Sequence, residues 1–165
     1  MNRKPPVPKA DRTPLAQLSE GAMHRIVGYQ IAQAAIVTDQ VFDERVGQPG
    51  GLRRVELTML ALVQANPDVT ARQLARALAV TPPNIAIWID RLETRGLVAR
   101  TRSDSDARVQ HIRITRAGSA LAGRSAQALL EAEAQALAGL SAAERAMLVE
   151  LLHKVALSRR RADAG

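Results

Sequence analysis

The sequence predicts a mainly α-helical chain with one short β-hairpin set between two long helical regions. Three features carry that expectation. Leu and Ala supply most of an apolar content of 47%, while Trp, Tyr and Phe occur once each, a balance that favours helices over an all-β fold. Apolar residues recur at helical spacing from Leu15 to about Val46 and again beyond Arg116. Between them, residues 97–102 (LVARTR) and 109–115 (VQHIRIT) read as two strands joined by an acidic turn, with Ile112 and Ile114 on one side and His111 and Arg113 on the other. A chain of 165 residues is long enough to bury one real core.

Residues 1–12 hold Pro5, Pro6, Pro8 and four basic residues without periodicity, so they read as a disordered arm. Thr13-Pro14 has the form of an N-cap followed by proline at the first helical position. From Leu15 to about Val46, one stripe is formed by Met23, Ile26, Val27, Ala34, Val37 and Val41, with Tyr29 and Ile36 on a second side. Two apolar sides imply more than one packing partner. The segment GQPGG (47–51) ends this helix, and a second, about 53–65, carries Val55, Leu57, Leu60, Ala61 and Leu62. Asn66-Pro67-Asp68 is a turn, after which Thr70 caps a short helix with Leu74 and Leu78 facing inward. Thr81-Pro82 opens another helix that runs to Arg95 and stops at Gly96. Beyond the hairpin, an Ala-rich helix spans Arg116 to Ala138. Ser141 and Glu144 form a capping box for a last helix carrying Met147, Leu148, Leu151, Leu152 and Val155.

Charge narrows the function. The net charge is +7, and residues 70–116 hold nine arginines against four acids. Such a concentration suits a polyanion, nucleic acid or an acidic membrane surface. With no cysteine, disulfides, zinc–thiolate sites and thiol catalysis are excluded. No apolar run approaches the length of a membrane span, and no hydrophobic region follows the basic residues of MNRKPPVPKADRTP, so a cytoplasmic protein without a membrane partner is expected. His24, His111 and His153 lie far apart and read as surface or packing residues. Asp104 and Asp106 offer fewer oxygens than calcium needs. No metal, cofactor or catalytic constellation is expected, and an enzyme is disfavoured.

A short capped helix, a tight turn and a second amphipathic helix form the helix-turn-helix pattern. In the second helix Ile85, Trp88, Ile89 and Leu92 fall within a narrow arc that holds it to the core. Pro83, Ile87 and Asp90 point the opposite way, with Asn84 and Arg91 on one flank. That outer face would read bases in a major groove. The following hairpin, with Arg100, Arg102, Arg108 and Arg113, turns the unit into a winged helix.

The run from Leu57 to Gly118 resembles the DNA-binding core of the MarR family of transcriptional regulators. It carries Leu74-Ala75 in the short helix, Thr81-Pro82 at the start of the recognition helix, and Asp90-Arg91-Leu92-Glu93 followed by Gly96-Leu97-Val98. The wing signature is matched by Asp106, Arg108, Ile114, Thr115 and Gly118. The resemblance implies a homodimer on double-stranded DNA, a repressor of a pseudo-palindromic operator released by a small-molecule effector such as an aromatic acid or related anion, with an activator equally compatible with the sequence. It implies the following organisation: a basic arm at 1–12, an N-terminal dimerisation helix at 13–48, a winged helix-turn-helix at 52–118, C-terminal dimerisation helices at 119–158 and a tail at 159–165. Thr81, Pro83, Asn84, Ile87 and Arg91 would form the recognition-helix contacts. Arg102, Asp106 and Arg108 would form those of the wing, with Arg108 at its tip and Asp106 as the ion-pair partner that aims it. His24 and Tyr29 are the expected effector contacts, although no motif marks a pocket.

Three departures from the family pattern bear on affinity. Ile87 stands where a polar residue is common, so it either touches a thymine methyl or merely covers protein surface. Pro82-Pro83 removes two backbone donors, so a phosphate there must use the Asn84 N–H or the side chains of Thr81 and Asn84. Ala107 replaces a frequent second arginine. Trp88 reads as core rather than as a ligand platform. The basic tails read as solvated, with extra DNA contacts by the N-terminal arm as the alternative. Two other functions remain open on sequence: an effector-independent architectural DNA-binding protein, and a winged helix used for protein contacts.

An arginine entering a narrow minor groove meets concentrated negative potential, and a neighbouring carboxylate that pre-orients it reduces the rotamer entropy lost. Arg108→Ala is therefore expected to weaken operator binding by about tenfold or more, roughly 1.4 kcal/mol, without unfolding the protein. Asp106→Ala should cost less. Fluorescence anisotropy on one duplex checks the order; the reverse order would contradict aiming.

Overall fold

In a computed structural model of the chain, residues 11–102 and 109–159 are described. The chain divides into two compact units, Met1–Gln40 and Val41–Gly165.

In the first unit the helix starts later than the periodicity predicts. Instead of helix from Leu15, a loop closes on itself. Arg12 and Ser19 form an antiparallel bridge, the Thr13 N–H donates to Leu18 O at 2.9 Å, and the Glu20 N–H donates to Asp11 O at 3.0 Å. The Thr13 hydroxyl does cap a backbone donor, but it is the Leu18 N–H, at 3.0 Å, five residues on rather than two or three. Ala16 and Gln17 sit at φ 61° and 54°, a left-handed pair that no α-helix accommodates. A 3-10 turn, Gly21–Arg25, follows, and helix α1 is Val27–Phe42. The periodicity N-terminal to it misleads because Leu15 and Leu18 have nothing to bury against and are 84% and 64% exposed.

In the second unit, α1 continues as one π-helical turn, Asp43–Gly47, and a last turn, Gln48–Gly50. The Gln48 N–H reaches back five residues to Asp43 O. This widening falls just before Pro49, whose ring would collide with the carbonyl four residues back in a regular helix. Gly51, at φ 56°, ends the run, so GQPGG terminates the helix at its final glycine rather than at its first.

Helix α2 is Arg54–Ala65, strand β1 is Val69–Thr70, α3 is Ala71–Leu78 and α4 is Pro82–Thr94. Strands β2, Val98–Arg102, and β3, Gln110–Ile114, form the hairpin. Helices α5, Arg116–Ala136, and α6, Ala142–Leu157, complete the chain. The expected caps form. Thr70 accepts from the Gln73 N–H at 3.2 Å while Gln73 accepts from the Thr70 N–H at 2.8 Å. Ser141 and Glu144 repeat the arrangement, with Glu144 accepting from the Ser141 N–H at 2.7 Å. These bonds hold the Glu144 carboxyl below its ordinary range, the Ser141 hydroxyl contributing most.

β1 is too short to be visible in the sequence. It adds an antiparallel edge to the hairpin, in the order β1-β3-β2, with Val69 opposite Ile112 and Arg100 opposite Ile112 on the other side. The core joins Met59 and Leu60 of α2, Leu74 of α3, Ile85, Ile89 and Leu92 of α4 and Ile112 of β3, each at most 2% exposed. Burying a side chain of this kind contributes about 2 kcal/mol, so the inner face of α4 is firmly held. Trp88 is partly buried and packs against this core, as expected.

Four elements meet at Leu97. The Gly96 and Leu97 N–H groups donate to Glu93 O and Leu92 O at 2.8 and 2.9 Å, and Gly96 has φ 67°. This is a Schellman end to α4. Leu97 O then accepts from the Thr115 N–H at 3.1 Å, and the Thr115 hydroxyl donates to Gly96 O at 2.7 Å while accepting from the Gly118 N–H at 3.0 Å as the cap of α5. The first turn of α5 lies so close that a Cβ on Gly118 would stand 2.0 Å from Leu97 O. Gly118→Ala is therefore expected to destabilise the protein by about 3 kcal/mol, at the upper end of overpacking costs because the obstacle is backbone. Chemical denaturation measures it; an unchanged midpoint would mean that α5 is free to shift.

Candidate nucleic-acid interface

Helix α4 presents the expected outer face. Thr81, Pro83, Asn84 and Ile87 are exposed while Ile85, Ile89 and Leu92 are buried. Ile87 is 55% exposed, a large apolar side chain directed away from the core. Thr81 has the extended backbone of an N-cap but accepts no capping bond. A cap oxygen bonds the N–H of the second or third helical residue; Pro83 removes the first of these donors, and the Asn84 N–H is not engaged by Thr81. The Thr81 hydroxyl and the Asn84 N–H are both open to an outside oxygen.

Arg91 has a different environment. Its Nε lies 3.2 Å from Oε1 of Glu56, a carboxylate only 1% exposed. The other Glu56 oxygen accepts from the Arg53 N–H at 2.9 Å, at the start of α2. Glu56 therefore ties the recognition helix to the beginning of α2, and Arg91, on the flank of α4, is tethered from within.

The hairpin arginines separate into paired and unpaired groups. Arg100 bonds both Asp90 and Glu93 of α4, and its backbone N–H donates to Glu93 Oε1 at 3.2 Å. The Asp90 bond, followed by the nearby acidic charges, raises the Arg100 guanidinium above its ordinary range, so it stays charged. Arg113 pairs with Asp68 at 2.6–2.7 Å, and the Asp68 carbonyl faces His111 Nδ1. Both arginines clamp the wing strands to the helix-turn-helix. Arg102, at the end of β2, is exposed and has no ion-pair partner among the described residues. Arg108 and Asp106, like Asp104, lie outside the described residues.

Sequence reading missed the acid pair as a clamp. Asp90 and Glu93 stand three apart on one helix face, a spacing that suits a shared cation. It also missed Glu56, because a lone glutamate in a helix gives no sign of burial. Arg72 and Arg76 of α3 are exposed as well.

The first unit brings together the two residues expected at an effector site. His24 Nδ1 lies 2.7 Å from Glu20 Oε2 and its Nε2 lies 3.4 Å from Asp11. The Tyr29 hydroxyl donates to Glu20 Oε1 at 3.2 Å. The Glu20 carboxylate, 5% exposed, is held below its ordinary range by the His24 hydrogen bond above all. Burial, then the Glu20 charge, raises the Tyr29 hydroxyl. Both side chains are thus engaged by an internal carboxylate. In the second unit, a cleft of about 440 Å³ lies between the end of α2, the turn at 66–69 and α3, lined by Leu62, Asp68, Val69, Gln73 and Ala77 among others.

An exposed reading face on a rigidly buried helix, followed by a clamped two-stranded wing, defines a DNA-binding winged helix-turn-helix domain. The sequence profile of the MarR family matches residues 50–109, so the helix-turn-helix and the start of its wing are a MarR-family domain. Solved structures agree. The transcriptional repressor CouR bound to a 23-mer DNA duplex is 28% identical, with a TM-score of 0.77 over 86% of this chain and 99% of that one. A "probable transcriptional regulator" from Pseudomonas aeruginosa is 27% identical, with a TM-score of 0.70 over 81% and 98%. CouR from Rhodococcus jostii RHA1 bound to p-coumaroyl-CoA shares the fold at 23% identity and a TM-score of 0.73, over 85% and 98%. Among the described residues, no helix is long and apolar enough to cross a membrane.

Removing the buried Glu56 carboxylate leaves the Arg53 N–H without its acceptor and Arg91 without its ion-pair partner. Glu56→Ala should destabilise the protein by about 2 kcal/mol, the scale of a charge-assisted hydrogen bond, discounted for the half-exposed arginine. Urea denaturation tests this; a loss below about 0.5 kcal/mol, the size of an ordinary surface change, would show that the tether is dispensable.

Proposed function

We propose that the chain acts in the cytoplasm as a homodimeric repressor that holds a pseudo-palindromic operator and releases it when a small molecule binds. The observation that carries this is the reading face of α4, where Thr81, Pro83, Asn84 and Ile87 project from a helix whose opposite side is locked in the core. Arg91 stands on its flank. Arg102, Asp106 and Arg108 supply the wing contact, with Asp106 aiming Arg108.

Dimerisation is supported by α6. This helix of 16 residues has no buried residue, yet Met147, Leu148, Leu151, Leu152 and Val155 recur along it at helical spacing, each at least 38% exposed. An apolar helix without a packing partner is marginal in water. A second copy provides a two-fold partner, and two-fold symmetry matches two half-sites. In the first unit, Ile31, Ile36 and Val37 are similarly exposed. Residues 13–48 and 119–158 form the dimerisation region in this account.

Repression and ligand response are argued from relatives. CouR, 28% identical, is a transcriptional repressor, and CouR from Rhodococcus jostii RHA1 is bound to p-coumaroyl-CoA. An aromatic acid or related anion is the effector class we favour. At His24 and Tyr29 such an anion must displace Glu20 from both side chains, so it competes with an internal carboxylate. Release requires only that the effector favour a dimer state whose recognition helices no longer match the operator spacing.

Anisotropy titrations with the DNA upstream of the chain's own gene and with a shuffled duplex test the proposal. The upstream duplex should bind about 1,000-fold or more tightly at physiological salt, and an aromatic acid effector should release it. Equal affinity for both duplexes would favour an architectural protein instead. Sedimentation should give a dimer, and Leu151→Glu a monomer with weakened operator binding.

A further inference from the structure

Two arginines of the recognition helix turn back into the protein. Asn84, Arg91 and Arg95 recur at helical spacing along one stripe of α4 and its C-cap. Asn84, at the start of the stripe, is exposed on the outer face. Arg91 and Arg95 instead reach the junction between α1 and α2. Arg95 Nη1 donates to Gly51 O and its Nη2 to Gly50 O, each at 2.8 Å. Arg91 Nε lies 3.2 Å from Glu56, whose other oxygen accepts from the Arg53 N–H at 2.9 Å.

The junction consists of Gly51, Leu52 and Arg53, and both its ends are held from α4. Arg95 grips its first carbonyl together with the last carbonyl of α1, and Arg91 reaches Arg53 through Glu56. Carbonyls at a helix C-terminus lack helical partners and carry the negative end of the dipole, so a guanidinium suits them. Its planar fork engages two acceptors at once and fixes direction as well as distance. The support beneath these carbonyls is firm, because Phe42, Val46 and Leu52, which flank them in sequence, are at most 4% exposed.

The core alone leaves one freedom of α4 open. Ile85, Ile89 and Leu92 bury the helix along one apolar line, but apolar burial is non-directional. A helix held only along that line can still turn about its own axis. Directional bonds at its C-terminal end, on a different side from that line, oppose such a turn.

We propose that Arg95 is a positioning residue for DNA reading. With Arg91 it latches the recognition helix to the α1–α2 junction and so sets the angle at which Thr81, Asn84 and Ile87 meet the bases. This rests on the DNA-binding function proposed above. The latch gives sequence preference rather than general affinity, because base contacts depend on the orientation of the helix and phosphate contacts supply the rest.

The test compares the full chain with Arg95→Ala and Arg95→Lys, on the DNA upstream of the chain's own gene and on a shuffled duplex, across a range of salt. Arg95→Ala should bind the upstream duplex at least about tenfold more weakly, the scale of one lost base contact, with the shuffled-duplex affinity and the salt slope unchanged. Arg95→Lys should recover part of the loss, because an ammonium still reaches one carbonyl but cannot span both. Equal weakening on both duplexes, with the log–log salt slope lowered by about 0.9 for each lost contact, would make Arg95 a phosphate contact and overturn the proposal. A lowered melting temperature with unchanged affinity of the folded protein would leave only a structural bond and overturn it too. If the unmodified chain does not distinguish the two duplexes, the function proposed above fails. If it does, and Arg95→Ala distinguishes them equally well, the positioning role alone fails.

Discussion

The carbonyl of Leu97 is the point on which the second unit turns. The end of the recognition helix, the start of β2, the return of β3 and the first turn of α5 all converge there. Thr115 bonds Leu97 O and Gly96 O while capping α5, and Gly118 lets α5 approach until no Cβ fits. The junction fixes where α4 stops and where α5 leaves. It thereby sets the geometry between the element that reads DNA and a helix assigned to dimerisation. Close-packed contacts with a backbone carbonyl do not deform smoothly, so α4 and the first turn of α5 move together.

Electrostatics then divides the arginines by role. Arg100 and Arg113 are committed to Asp90, Glu93 and Asp68, and Arg91 is tethered by the buried Glu56. These pairs hold the wing and the recognition helix in one frame. They contribute orientation more than stability, because exposed pairs are worth little to folding. Arg72, Arg76 and Arg102 are exposed without such partners among the described residues and leave their charge facing outward. A positive segment is thus two systems, one internal and one directed outward.

The order of elements was legible in sequence, as were the caps at Thr70 and Ser141, the stop at Gly96 and the inner face of α4. Each depends on local chemistry: a hydroxyl three residues from an N–H, a glycine at positive φ, or apolar residues at 3.6-residue spacing. The N-terminal helix misled for the same reason. Its periodicity is real, but Ala16 and Gln17 adopt left-handed conformations and the apolar residues before Val27 find nothing to pack against. β1 escaped notice because two residues give no period. Within the interface, the exposure of Thr81, Asn84 and Ile87 followed from helix geometry, whereas nothing local marked Arg100 and Arg113 as partners of Asp90, Glu93 and Asp68.

By itself the sequence determined the MarR-family domain, the helix-turn-helix and the exposed face of its second helix, because these rest on short-range spacing within a continuous run of residues. The tertiary structure alone decided which charges are spent inside the protein and which remain for a partner. Arg113 and Asp68 are 45 residues apart, and Glu56 and Arg91 lie on different helices. Their pairing exists only once the core has brought those elements together, and no local pattern encodes it.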